Sequence, residues 1–281
     1  GIKIGEVDQH SAIIWTRLTR HAQANRDGAT FIKPAGNVKG AGEERGAPTM
    51  AEQLPEGKTL DDMEGAVPGA PGCVRIAWSS EDGEKGSTGW QAVDPGKDHT
   101  FRQRIEELTP GTRYDLTVES RDAAGTPGQT VEGTFRTAPA PDQVAPVTFV
   151  VAGCQDYSRR DTPDGHRIYP RMLELDPDFF VHTGDIEYYD KPLPFATNRA
   201  LARFKWNRLY GLPHLARFHR QVASCFMKDD HDTTRNDCWP GVDYGELTWQ
   251  QGLDLFREQF PVLEENYRTI RWGKDLQVWL V

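Results

Sequence analysis

The chain has 281 residues, enough for a large core and two domains. Hydrophobic residues make up 37%, within the globular range, and no apolar run approaches the ~20 residues of a membrane helix. A net charge of −9 argues against a basic face for duplex nucleic acid, and four cysteines without a CxxC spacing argue against a zinc ribbon, a redox pair or a disulfide-dense scaffold.

The first half reads as β-structure. Ser11–Leu18 is rich in β-branched and aromatic residues, and Cys73–Ser79 alternates with Val74, Ile76 and Trp78 on one face. His99–Ile105, Asp115–Glu119 and Gly133–Thr137 are further strand candidates. Leu108-Thr109-Pro110-Gly111 followed by Tyr114 resembles the corner of fibronectin type III sandwiches, where a tyrosine hydroxyl bonds back to the turn. Ala138-Pro139-Ala140-Pro141 reads as a short, stiff linker. Residues 1–141 are therefore expected to form a fibronectin type III-like β-sandwich. Residues 24–70, rich in Gly, Pro, Glu and Lys and without a sustained period, interrupt it. Their composition suits a surface insertion; the other reading is a loop reaching over the neighbouring domain's site.

After the linker the pattern alternates between strands and helices, which implies βαβ units and a mostly parallel sheet. Strands are expected over Thr148–Ala152, Phe179–His182 and Ala223–Met227. Helices are expected over 164–175 (with Pro170 inside it), 195–210 and 247–260, the last closed by Pro261. Arg199, Arg203, Lys205 and Arg208 read as the solvated face of the second helix, with phosphate binding as the alternative. Tyr267–Trp272 and Leu276–Val281 form a predicted hairpin. The chain stops within that strand, so the sheet is expected to continue beyond Val281.

Three of these strands end alike. Thr148–Ala152 runs into Gly153-Cys154-Gln155-Asp156, Phe179–His182 into Gly184-Asp185 with Tyr188 three residues on, and Ala223–Met227 into Asp229-Asp230-His231-Asp232. Ligands bind at the carboxyl ends of strands in open α/β sheets. Thiol, phenol, carboxylate and imidazole groups at three such ends suggest one metal site. His182, on the strand itself, reads as a buried structural histidine.

Gly-Cys-Gln at 153–155, His-Thr-Gly-Asp-Ile-Glu-Tyr at 182–188 and Asp-Asp-His-Asp at 229–232 resemble the PhoD-like alkaline phosphatase D family, within the calcineurin-like metallophosphoesterases. The opening Gly1–Glu6 and Ser11–Leu18 resemble the start of that family's N-terminal sandwich. The resemblance implies an α/β (α+β) protein: the sandwich at 1–141, then the first half of a four-layer α/β/β/α metallophosphatase domain at 142–281. It implies hydrolysis of phosphomonoesters or phosphodiesters by metal-activated water, with Fe(3+) and Ca(2+), or another divalent ion, as cofactors. Residue by residue, Cys154 and Tyr188 match iron ligands, Asp185 a carboxylate bridging two metals, and Asp230 a further ligand. His231 matches the residue that stabilises the transition state or protonates the leaving group, with Asp232 orienting it. The role of Asp156, which stands where many superfamily members place a histidine ligand, stays open. The partner implied is a small-molecule phosphoester, with no membrane span and an extracytoplasmic location.

One feature departs from the pattern. None of the eight histidines lies in the Gly-Asp-x-His or Gly-His-x-His motifs that supply further ligands in the superfamily. The metallophosphatase domain is therefore expected to be incomplete here. The alternatives are an incomplete or inactive metal-binding module, and a non-enzymatic binding protein built on the sandwich.

Overall fold

The computed structural model describes residues 1–35, 46–265 and 267–281. In chain order its strands and helices are β1 (Ile2–Gly5), β2 (Ala12–Arg17), β3 (Gly72–Ser80), β4 (Lys85–Ser87), β5 (Gln91–Ala92), β6 (Thr100–Ile105), β7 (Arg113–Asp122), β8 (Val131–Arg136), β9 (Phe149–Ala152), α1 (Ile168–Leu173), β10 (Phe179–His182), α2 (Arg199–Tyr210), α3 (Pro213–His219), β11 (Ala223–Phe226), α4 (Trp249–Gln259), β12 (Arg268–Trp272) and β13 (Leu276–Leu280).

A six-stranded sheet runs β6-β2-β1-β11-β10-β9. Its first three strands are antiparallel; β1, β11, β10 and β9 then follow in parallel. Side chains alternate across it. Phe179 and Val181 of β10 join one core with Ile4, Ile14, Ile76, Leu116 and Trp272, which lies under a second layer made of the β3–β5, β7, β8 sheet and the β12–β13 hairpin. Phe180 and Phe226 point the other way, into a core shared with α1–α4. Both are fully buried, each contributing about 1.5–3 kcal/mol through the area it removes from water.

In the N-terminal part β1, β2 and β6 form one layer, and β3, β4, β5, β7 and β8 the other. The expected corner is present in geometry: Thr109 N–H donates to the Tyr114 hydroxyl at 2.8 Å. The expected division near residue 141 is not a sheet boundary, because Gly5 of β1 stands in parallel register with Ser224 of β11.

The helices follow local rules. Asn198 caps α2 by accepting from Leu201 N–H, and Thr248 with Gln251 forms a capping box on α4. The helix expected over 164–175 shortens to Ile168–Leu173, which leaves Pro170 in the first turn, the place a helix tolerates it. Helix α3, opened by Pro213, was not expected from sequence.

Within 24–70, residues 36–45 lie outside the described residues. The rest docks firmly. Met63 and Ala66 are buried against Phe204 of α2, and the Gln53 side chain accepts from Phe195 N–H at 2.7 Å and donates to Phe195 O at 3.0 Å.

Candidate metal centre

The three strand ends meet at one sheet edge. Beyond the β9–β10 pairing of Ala152 with His182, two more backbone bonds continue, Cys154 N–H to Gly184 O at 3.2 Å and Gln155 N–H to Asp185 O at 2.9 Å. They bring Cys154 and Asp185 side by side. Both residues are left-handed, φ 54° and 49°, a conformation that turns each side chain off its strand and that carbon side chains adopt at a cost. Gly184 between the strand and Asp185 has φ 101°, and a Cβ there would lie 2.8 Å from Asp229 Cβ. Only glycine lets the loops after β10 and β11 approach this closely.

Around Asp185 the donor atoms converge. Its Oδ2 is 3.0 Å from the Tyr188 hydroxyl and 3.6 Å from Cys154 Sγ. Ligand atoms of Asp185, Asp230 and His231 all lie within 4.8 Å of one another. Asp185 Oδ1 is buried and has no hydrogen-bond partner among the described residues. Asp185 thus has one orphaned carboxylate oxygen while its other oxygen faces a thiol and a phenol, with a second carboxylate and an imidazole close by; a cation would satisfy such a cluster, so the donor set fits a metal. The charges agree. Burial, then the Asp229 and Asp230 charges, hold the Asp185 carboxyl above its usual range despite the Tyr188 hydrogen bond. Burial and Asp185 push the Tyr188 phenol up as well. Both shifts come first from burial, and the neighbouring carboxylates add to them.

Tyr188 and Tyr189 part company. Tyr188 turns to Asp185, its ring 4.3 Å from that of His231. Tyr189 is buried on the helix side, where its hydroxyl takes the Trp206 indole N–H at 2.5 Å.

The carboxylate that touches the His231 ring is Asp190, not Asp232. His231 Nδ1 lies 2.6 Å from Asp190 Oδ1, while Asp190 Oδ2 accepts from Asn236 N–H at 3.0 Å. Burial opposes both charges, but this mutual hydrogen bond outweighs it: the Asp190 carboxyl is held below its usual range and the His231 imidazole above its own. Asp232 is fully buried and accepts instead from three backbone N–H groups, Ile186 at 2.8 Å, Glu187 at 2.9 Å and Asp229 at 3.1 Å. It clamps the loop after β10 to the loop after β11. Asp156 is likewise turned away, capping a turn by accepting from Arg159 N–H at 3.0 Å.

The reading of Arg199, Arg203, Lys205 and Arg208 as a solvated helix face does not hold for two of them. Lys205 is fully buried and Arg208 nearly so. Lys205 Nζ sits 3.3 Å from the buried Glu187 Oε1 and donates to the carbonyls of Tyr188 and of Pro192, the latter at 2.9 Å. Lys205 thus pins the loop that carries Tyr188 and Asp190. His182 is buried as expected, and burial lowers its pKa to about 3.

Residues 149–281 match the sequence pattern of the PhoD-like phosphatase family. No curated protein matches the chain. Among solved structures, one described as the structure of PhoD superposes with a TM-score of 0.60 at 17% identity, covering 96% of this chain and 49% of that one. A purple acid phosphatase from yellow lupin (Lupinus luteus) seeds superposes with a TM-score of 0.57 at 14% identity, covering 97% and 43%. At such identities the likeness is one of fold. The chain spans about half the length of the solved structures it matches.

Proposed function

Residues 149–281 of this chain belong to the PhoD-like phosphatase family, and from that premise we propose that the chain carries one half of a metal-dependent phosphoester hydrolase site. One observation carries the reading: four candidate donors, Cys154, Tyr188, Asp230 and His231, gather around the Asp185 carboxylate, whose Oδ1 has no hydrogen-bond partner among the described residues. Cys154 thiolate, Tyr188 phenolate and Asp185 suit Fe(3+); Asp185 with Asp230 offers the hard oxygens that suit Ca(2+). The bound cations would neutralise phosphate charge and make a nucleophile of water at neutral pH.

The chain's own residues would do the rest. The Asp190 carboxylate fixes the His231 proton on Nδ1 and leaves Nε2 as the ring nitrogen open to substrate. That nitrogen would hydrogen-bond a phosphoryl oxygen or, with the ring protonated, give its proton to the departing alkoxide. Asp232 acts at one remove, by holding the loops that aim Asp185 and His231. The two-layered N-terminal strands and the Tyr114 corner support the fibronectin type III-like reading of residues 1–141. Exported location is proposed on family grounds; among the described residues no helix is long and apolar enough to cross a membrane.

The test is iron. Purified chain loaded with Fe(3+) should bind it stoichiometrically and absorb visible light through a phenolate charge-transfer band. Tyr188→Phe should remove that band and Tyr189→Phe should leave it. Absence of iron binding, or loss of the band in Tyr189→Phe instead, overturns the reading. Iron binding without hydrolysis of an aryl phosphate favours a metal-binding module that is not itself an enzyme.

A further inference from the structure

Against the loop that carries Tyr188 lies a cavity of about 610 Å³, walled on one side by Lys33 and Glu64 and on the other by the loops after β9 and β10. Its volume falls in the ~300–1,000 Å³ range of small-molecule pockets and far exceeds what a bare phosphate needs. Asp190, the carboxylate on His231 Nδ1, is part of its wall, and Lys191, also in the wall, lies 5.0 Å over the Tyr188 ring, which is itself 4.3 Å from the His231 ring, so the cavity borders the loop that carries the proposed metal ligand. Tyr157, Pro192, Leu193 and Phe195 give it a carbon-rich lining.

Its charges are unequal. Arg160 is paired with Glu64 at 3.4 Å, and Arg208 lies over the Tyr157 ring at 4.1 Å with the buried Glu187 charge nearby. Lys33 and Lys191 are both exposed at the cavity; Lys191 acts at a distance on the Asp190 carboxylate already held by His231, and Lys33 makes no ion pair among the described residues. The balance left over is positive.

We propose that this cavity holds the organic part of the phosphoester, a carbon-rich and preferably aromatic group that bears a further negative charge. The assignment rests on the phosphoester reading above and deepens it. In that arrangement Leu193 sets the size of the group accepted and Lys33, from the 24–70 segment, reads its charge.

Binding of non-hydrolysable phosphonates to the iron-loaded chain, followed by calorimetry, tests it without requiring turnover. Phenylphosphonate should bind at least ~10-fold more tightly than methylphosphonate, from burial of the ring. Leu193→Trp, which fills the cavity, should abolish that preference and leave methylphosphonate within about 2-fold. Lys33→Glu, at an exposed position that folding does not depend on, should weaken 4-carboxyphenylphosphonate several-fold and leave phenylphosphonate unchanged. Equal affinities in the parent chain, or a preference that survives Leu193→Trp, overturn the cavity assignment and leave the phosphoester reading standing. An unaltered 4-carboxyphenylphosphonate affinity in Lys33→Glu overturns the charge assignment even if Leu193→Trp does not fold. If neither parent phosphonate binds, the phosphoester reading itself falls.

Discussion

Lys205→Met should be among the most damaging single changes in α2. Lys205 and Glu187 are both fully buried, 3.3 Å apart. Neither Glu187 oxygen meets hydrogen-bond geometry, so what holds that carboxylate is ionic attraction. Removing the ammonium leaves Glu187 without its nearest cation and strips a donor from the Tyr188 and Pro192 carbonyls. Breaking a buried pair by removing one partner costs about 3–5 kcal/mol, a large share of the ~5–15 kcal/mol that holds a typical fold together. Equilibrium urea unfolding of the chain, followed by circular dichroism, should show that loss as a lower midpoint at constant slope. Adding Glu187→Leu to Lys205→Met should restore part of the stability, since an apolar pair of similar volume escapes the desolvation cost. Iron affinity should drop roughly 10–100-fold in Lys205→Met, the usual scale when a group that positions ligands is lost. A Lys205→Met protein within about 0.5 kcal/mol of the parent, or a double variant whose loss is the sum of the two single losses, would refute the view that this pair anchors the Tyr188–Asp190 loop.

Acid should find the buried histidines. The folded pKa of His182, about 3, lies below its ordinary value of 6.5, so between these limits the unfolded chain binds the extra proton. Stability is complete above pH 6.5 and falls as pH drops toward 3, by about 2 kcal/mol at pH 5 from His182 alone. Urea midpoints measured across that window should show the slope, and His182→Gln should flatten it; a parent midpoint that is level from pH 7 to 5 contradicts the assignment. Asp190 and Asp232 should separate cleanly. Asp190→Asn should reduce aryl phosphate turnover by roughly 10–100-fold with little loss of stability, whereas Asp232→Ala should cost about 3 kcal/mol or more, because three buried N–H groups lose their acceptor. Kinetics and unfolding on both variants decide this, and an Asp232→Ala chain as stable as the parent sinks the clamp.

The three strand ends were legible because a short apolar run that stops at Gly-Cys, Gly-Asp or Asp-Asp-His has few other uses, and a parallel sheet aligns such stops at one edge. Asp190 was not legible. It meets His231 across 41 residues through a loop that folds back on itself, and no periodicity records that path. Lys205 and Arg208 misled for a related reason. Reading cations as a water-facing stripe assumes a helix covered on one side, but α2 is covered on another by Met63 and Ala66 of the 24–70 segment and by the Tyr188–Leu193 loop. The partnership of β1 with β11 left no local trace either, since a four-residue strand carries almost no pattern and its partner lies more than 200 residues downstream.

That last pairing bears on how the chain comes to be folded at all. During synthesis β1 leaves the ribosome well before β11; β2 can pair with it almost at once, and β6 adds to the far side of β2 once Thr100–Ile105 has been made. The other edge of β1 must wait until Ser224 has been made, at ~5–20 residues per second a matter of tens of seconds. Through that interval Ile2 and Ile4, buried in the finished protein, sit on a strand with an unsatisfied backbone edge, the surface that recruits another copy. The linker at 138–141 is therefore a poor place to divide the protein. A piece starting beyond it would present β11 with the complementary bare edge, and each half would carry the template for sticking to the wrong neighbour.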